Sequence, residues 1–117
     1  MKTKAGASSR REAASAVASV FDPVGLVGPW LIGGKLLFQD LCKTGHEWDE
    51  SLESTLQARY NAFADEATGR SLVVPRHITF SEQTELFIFC DASPRAYAAV
   101  AYLRTGGKIE FLMSRSR

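Results

Sequence analysis

Cysteine, histidine and long apolar runs are scarce in this 117-residue chain, and each scarcity excludes a class of protein. The two cysteines, Cys42 and Cys90, lie far apart and outside any Cys-x-x-Cys or Cys/His cluster. We therefore expect no zinc site and predict two buried free thiols in a reducing compartment. No run approaches about 18 apolar residues, and the basic N-terminus lacks an apolar stretch with a cleavage signature. A membrane span and a signal peptide are not expected, which favours an intracellular, cytoplasmic location.

The net charge of +1 is also small, so total charge excludes no partner. Its distribution is uneven. Lys and Arg outnumber Asp and Glu by six to three in residues 1–46, whereas the acids outnumber the bases by six to one in residues 47–69. Basic ends permit contact with phosphates, although ordinary solvated surface is the more common reason for such a pattern. The candidate nucleic-acid contacts are Lys4, Arg10, Arg11 and Lys35.

The first part of the chain is predicted to be helical, after a disordered tail over residues 1–9. Apolar residues at helical spacing predict three helices. The first is capped by Ser8 or Ser9 and runs to about Phe21, the second lies between Pro29 and Gly45, and the third runs from Asp49 or Ser51 to about Ala67, with Gly69 closing it. Residues 21–29 contain two glycines and two prolines, which predicts a structural corner between the first two helices.

The second part is predicted to be a sheet that follows a linker over residues 70–84. Apolar runs predict strands over residues 85–91, 97–104 and 108–113, with a glycine turn between the last two. The unbroken run Leu86–Cys90 is typical of a strand that is covered on both faces. The fold class is therefore predicted to be α+β, with an N-terminal three-helix segment followed by an antiparallel three-stranded meander.

One carboxylate directly follows the apolar run of the first strand. An ionised aspartate is rarely tolerated there unless a partner neutralises it or it lies at the mouth of the strand. Asp91 is therefore a candidate functional residue, although an aspartate at the end of a strand more commonly forms a turn. Ser93 has no histidine at a nearby spacing and is expected to form the turn rather than to act as a nucleophile.

Two blocks of sequence resemble the pol polyprotein of BEL/Pao-type LTR retrotransposons. Phe89-Cys90-Asp91-Ala92-Ser93 together with Ala96–Val100 is similar to the start of its RNase H domain. Ala98 or Ala99 replaces the glycine that is usual there. The second block is similar to the segment between the polymerase palm and RNase H, with Cys42 in place of the usual tryptophan. It consists of Ser19, Phe21–Leu26, Pro29, Lys35, Gln39, Leu41, Trp48-Asp49 and Leu52.

The resemblance implies that residues 10–69 are a thumb or connection segment and that residues 85–117 begin an RNase H-like domain. Asp91 would be the first acidic ligand of a site for Mg²⁺ or Mn²⁺. The implied partners are an RNA–DNA hybrid or a template-primer and the remainder of the polyprotein, with no membrane and no small-molecule substrate. The parent protein would carry out reverse transcription and cleave the RNA strand of hybrids.

We expect this chain to be a fragment that binds no metal and is inactive by itself. One aspartate cannot hold two cations that each require several oxygen ligands, and Glu85 lies about 20 Å away along the strand. An incomplete RNase H-like sheet is also expected to expose Phe87 and Phe89, to leave the edge of its last strand unpaired, and to be marginally stable.

Two other interpretations stay open. The chain is a transposon relic without a function of its own, or it is a structural segment that carries the label of a Pao retrotransposon peptidase. Aspartic peptidases use an Asp-Thr-Gly or Asp-Ser-Gly loop. Here the triplet is Asp91-Ala92-Ser93, and no Asp-Thr-Gly or Asp-Ser-Gly occurs in the sequence. A peptidase label would therefore not describe the chemistry of these residues.

Overall fold

The computed structural model describes residues 8–67, 70–75 and 77–117, and it confirms the predicted α+β order. The chain forms two compact units, one with the helices and one with the sheet together with Asp22–Gly28. None of the described helices is long and apolar enough to cross a membrane. The elements are α1 (Arg10–Ala18), α2 (Gly28–Lys43), α3 (Ser54–Ala67), β1 (Glu85–Ala92), β2 (Tyr97–Thr105) and β3 (Lys108–Ser116).

A capping box starts α1. The Ser9 hydroxyl accepts from the Glu12 N–H at 3.3 Å, and the Glu12 carboxylate accepts from the Ser9 N–H at 3.0 Å. Ser8 is buried, and its N–H donates to Gln57 Oε1 at 2.7 Å. Ser8 and Ser9 therefore belong to the helical unit and not to a disordered tail; residues 1–7 lie outside the described residues. Ser19 caps the other end of α1, so the helix stops short of Phe21.

Helix α3 starts later than the predicted Asp49 or Ser51, because the preceding segment pairs with the start of α1. The Leu52 N–H donates to the Ser8 carbonyl at 2.9 Å, and Ser51 forms a β-bridge with Ser9. Backbone groups that are engaged in this way stay extended, so the helix begins at Ser54. Gly69, which was predicted to close α3, lies outside the described residues.

The core of the helical unit is aliphatic and has one aromatic stack at its margin. The Trp30 ring lies parallel to the Phe63 ring at 4.5 Å between centroids, and Trp30 Nε1 donates to the Phe63 carbonyl at 2.9 Å. A Cβ on Gly34 would lie 2.7 Å from the Phe63 ring and from Val17 Cγ2, whereas Gly33 faces open space. Gly34 therefore permits the Phe63 and Val17 side chains to pack closely against α2. The central cluster consists of Ala13, Leu37, Leu41, Leu52 and Leu56.

The sheet is an antiparallel meander in the order β1-β2-β3. Strands β1 and β2 pair from Glu85 opposite Arg104 to Ala92 opposite Tyr97. Strands β2 and β3 pair as far as Ala98 opposite Ser116, with a register shift after Ala101. Strand β3 is therefore three residues longer than the predicted 108–113. This pairing places Asp91 near the end of β1, beside the start of β2 and the end of β3.

Strand β1 is exposed along its whole length, so the prediction of a strand covered on both faces is wrong for the described chain. Ile88 is 63% exposed and Phe89 is 60% exposed, although their side chains point to opposite faces. The expected exposure of Phe87 and Phe89 is thereby confirmed. Cys90 is exposed together with its strand, and Cys42 is exposed on α2. Both thiols are free as predicted, but neither is buried.

The corner between α1 and α2 is tied to the sheet. The Asp22 carboxylate accepts from the Leu26 N–H at 2.8 Å and from the Val27 N–H at 2.9 Å, which closes the loop. The Val24 carbonyl accepts from the Ser114 N–H at 2.7 Å on the outer edge of β3. We call residues 22–28 the edge loop. The sequence predicted the corner, but it placed these residues in the helical segment and left the edge of the last strand unpaired, which is wrong at Ser114.

Gly25 is the residue that permits this contact. Its φ of 77° lies in the left-handed region, and a Cβ on it would lie 2.7 Å from the Ser114 carbonyl carbon. The Ser114 hydroxyl donates to the Gly25 carbonyl. Only a residue without a side chain allows the two backbones to approach so closely.

Candidate functional site

Asp91 lies near the end of β1, where it is paired with Ala98 of β2 and exposed to solvent. One carboxylate oxygen accepts from the N–H of the next residue, Ala92, at 2.9 Å. This local bond orients the carboxylate without removing it from water. The position at the mouth of the strand explains why an ionised group is tolerated directly after an apolar run.

The turn that follows Asp91 is held by Ser93. The Ser93 N–H donates to the Ala96 carbonyl at 2.8 Å, and its hydroxyl accepts from the N–H groups of Arg95 and Ala96, both at 3.2 Å. A serine whose hydroxyl is bonded to its own turn in this way has a structural role. The expectation that Ser93 forms the turn is confirmed.

The sheet face that carries Asp91 is aromatic in its middle and charged at its far end. Tyr102 contacts Phe89 and Phe111 edge to face, with ring centroids 6.1 and 6.0 Å apart. At the far end the Glu85 carboxylate accepts from Arg104 Nε at 2.8 Å. The face therefore has a solvent-exposed aromatic surface beside Asp91, and its other carboxylate, Glu85, is six residues away and paired with Arg104.

The described residues do not assemble a complete metal site. They contain no group of three or more His, Cys, Asp or Glu that is able to hold a metal ion. Glu85 pairs with Arg104, and Glu110 pairs with Lys108 Nζ at 2.9 Å and accepts from the Thr79 N–H at 3.0 Å. The hydrogen bond from Lys108 is the main reason that the pKa of Glu110 lies below its ordinary value. Asp91 supplies one carboxylate, which does not suffice for Mg²⁺ or Mn²⁺.

Arg10, a predicted nucleic-acid contact, is packed into the helical unit. Its guanidinium carbon lies 4.5 Å from the Trp48 ring centroid and 5.6 Å from that of Phe38. Its Nη1 donates to the His46 carbonyl at 3.0 Å, and its Nη2 donates to Cys42 Sγ at 3.3 Å. These contacts use the planar face and the edge of the guanidinium at once.

The other basic candidates have different surroundings. Arg11 forms a two-pronged, exposed ion pair with Asp49, at 2.7 and 3.1 Å. The hydrogen bond between them raises the pKa of Arg11 and lowers that of Asp49. Lys35 lies half-buried on α2, and Lys4 lies outside the described residues. The contacts of Arg10 and Arg11 compete with a phosphate for the same donors, and the role of all four in nucleic-acid binding stays a prediction.

Three residues at the same end of the sheet as Asp91 were not singled out from the sequence. Tyr97 begins β2, and Arg115 and Arg117 lie at the end of β3. Side chains alternate between the two faces along a strand, and this alternation along β2 and β3 places Tyr97, Arg115 and Arg117 on the same face. It was missed from the sequence because the third strand was predicted to end at residue 113, before both arginines.

One protein family matches the chain over most of its length. Residues 9–117 match the family described as the Pao retrotransposon-like RNaseH-like domain, and the chain belongs to that family. The resemblance to a Pao-type retrotransposon is thereby confirmed, while the boundary with a reverse transcriptase segment stays a prediction. The family description names an RNaseH-like domain and no peptidase. No curated protein and no solved structure matches the chain.

Proposed function

We propose that this chain supplies Asp91 as one acidic ligand of an RNase H-type site for Mg²⁺ or Mn²⁺ that cleaves the RNA strand of RNA–DNA hybrids. The observation that carries the proposal is the exposed carboxylate at the end of β1 in a member of an RNaseH-like family. Its exposure leaves the carboxylate oxygens accessible to a hard cation such as Mg²⁺, which prefers oxygen ligands.

The remaining carboxylates of such a site come from residues other than those described. We propose that they belong to a longer pol polyprotein, which also carries out reverse transcription and in which the helical unit adjoins the polymerase. The described chain is accordingly expected to be inactive by itself. The acids on its sheet do not help, because Glu85 and Glu110 are engaged in ion pairs.

A hybrid-cleavage assay in Mg²⁺ or Mn²⁺ tests the proposal on this chain and on the longer polyprotein. We expect cleavage by the longer protein only, and we expect Asp91→Asn to abolish it. Glu85→Gln is the matched control, because it removes an acid from the same face of the same strand at the opposite end. If a folded longer protein is inert, or if Asp91→Asn cleaves as well as the parent, the proposal fails and the interpretation as a relic is favoured.

A second measurement uses the described chain alone. Paramagnetic Mn²⁺ broadens the NMR signals of nuclei close to a weakly held ion, even where the affinity is too low for catalysis. We expect the amide signals of Ala92 and Ala98 to broaden first, and Asp91→Asn to remove this effect. Broadening that instead centres on Glu85 or Glu110 would place the accessible carboxylate elsewhere.

A further inference from the structure

Tyr97 and Arg117 are direct neighbours across β2 and the end of β3. The Tyr97 N–H donates to the Arg117 carbonyl at 2.8 Å, and the Arg117 N–H donates to the Tyr97 carbonyl at 2.9 Å. Arg115 lies opposite Ala99, one step further along the same face. Because residues directly opposite each other point to the same side of a sheet, Tyr97, Arg115 and Arg117 share one face.

This face is opposite to the one that carries Asp91, at the same end of the sheet. Tyr97 is 56% exposed, and its neighbours on the face include the small residues Ala92 and Ala99. These small side chains leave open space beside the phenol ring on their side of Tyr97. A planar group is therefore able to lie against the ring without a clash.

The two arginines are not neutralised by any described residue. No ion pair or hydrogen bond joins the guanidinium of Arg115 or Arg117 to another part of the described chain, whereas Arg11, Arg59 and Arg104 each pair with a carboxylate. Both are exposed. On their own face the acid of β3, Glu110, lies toward the opposite end and is bound to Lys108. This end of the face therefore carries two guanidinium groups that no side-chain carboxylate of the described chain pairs with.

We propose that Tyr97, Arg115 and Arg117 form a binding platform for single-stranded nucleic acid, with a base stacked on Tyr97 and phosphates on the two arginines. An exposed aromatic ring beside free cations is the arrangement that binds unpaired strands, because every base has a face that stacks and every linkage has a negative charge. A duplex keeps its base faces covered and gains nothing from Tyr97. The platform depends on the proposed function only for the class of ligand, since it requires neither metal nor Asp91.

Fluorescence anisotropy with labelled dT and rU oligonucleotides tests the platform on the whole chain. The buffer contains EDTA, so a failure of the metal site leaves the result unaffected. We expect both oligonucleotides to bind and Tyr97→Ala to weaken binding by about 5- to 150-fold, the effect of losing one stacked base. Tyr97→Phe keeps the ring and is expected to bind as the parent does, which separates stacking from damage to the strand. An unlabelled duplex of equal length is expected to compete poorly.

Salt dependence tests the arginines. The plot of log K against log salt has a negative slope. Removing two phosphate contacts makes this slope shallower by about 1.4 for a single strand. We expect this change for Arg115→Gln with Arg117→Gln. The double substitution of Arg59→Gln with Arg104→Gln changes the net charge equally, and both arginines are already paired with carboxylates, so we expect it to leave the slope almost unchanged. The proposal is overturned if the parent chain does not bind, if the two double variants behave alike, or if Tyr97→Ala binds as tightly as Tyr97→Phe.

Discussion

Replacing Gly25 by alanine is expected to detach the edge loop from β3. The new Cβ would lie 2.7 Å from the carbonyl carbon of Ser114, and a clash between two backbones has no rotamer that relieves it. The loop therefore moves away and forfeits its two hydrogen bonds with Ser114, one from the N–H and one from the hydroxyl. At about 1 kcal/mol for each bond, the docked loop becomes about 2 kcal/mol less favourable.

Hydrogen–deuterium exchange of the Ser114 amide measures this change directly, because that N–H is the donor to the Val24 carbonyl. A loss of about 2 kcal/mol corresponds to exchange that is about 30-fold faster. Gly106→Ala is the matched control. Gly106 also has a positive φ, of 62°, but a Cβ there meets nothing within 4 Å. The Gly106→Ala variant therefore has the strain of an alanine in the left-handed region but no clash, so the Ser114 amide is expected to stay protected from exchange.

Equal exchange rates of the Ser114 amide in the parent and in Gly25→Ala would show that the loop does not detach. Gly106→Ala must also leave this rate lower than Gly25→Ala does. Otherwise the strain of a positive φ, and not the contact with β3, would determine the stability of the loop. The tryptophan fluorescence of the helical unit is expected to stay unchanged in both variants, because Trp30 and Trp48 belong to that unit.

Three further predictions concern the rest of the chain. In urea unfolding followed by tryptophan fluorescence, Gly34→Ala is expected to lower the free energy of unfolding by about 1–3 kcal/mol, because its Cβ overpacks against Phe63 and Val17. Gly33→Ala meets no atom and is expected to raise the free energy of unfolding by about 0.5–1 kcal/mol, so equal effects of the two variants would contradict this packing. Arg10→Gln is expected to lose about 2 kcal/mol and to red-shift the emission of Trp48; unchanged emission would refute the contact. Because the pKa of Glu110 is lowered in the folded chain, ionised Glu110 is expected to stabilise the fold near neutral pH, and this contribution is lost as the pH falls below about 4. Urea unfolding at several pH values is the measurement, and Glu110→Gln is expected to lack this part of the pH dependence.

The sequence predicted the elements well because their signals are local. Period and turn residues located three helices and three strands in the right order, and Ser9, one of the two predicted caps, does cap the first helix. The cover of β1 was misjudged for a physical reason. An unbroken run such as Leu86–Cys90 establishes that both faces of a strand are apolar, but it contains no information about what lies against them.

The candidate site shows the same limit. Asp91 was found because a carboxylate after an apolar run is unusual in itself. Arg10 and Arg11 were chosen for their charge alone, yet their partners lie far away in sequence: Arg11 meets Asp49, 38 residues on, and Arg10 meets the His46 carbonyl, 36 residues on. Whether a charge is already paired is a property of tertiary structure. The arginines without a carboxylate partner, Arg115 and Arg117, lie instead at the end of β3. The predicted strand stopped at residue 113, so they were not placed on one face from the sequence.

The edge loop connects part of one motif block to the sheet that carries the other. Gly25 belongs to the block that starts at Ser19, and it contacts Ser114 of β3, 89 residues away in sequence. Strand β3 pairs with β2, which pairs in turn with the strand of Asp91. In the described sheet β1 leaves one edge open, and the loop contacts the other. Unpaired edges promote association between chains. Gly25→Ala is therefore expected to associate as concentration rises in light scattering, whereas Gly106→Ala stays closer to the parent. If Gly25→Ala releases the edge loop and still remains monomeric, the contact between the loop and β3 stabilises the fold but does not prevent association.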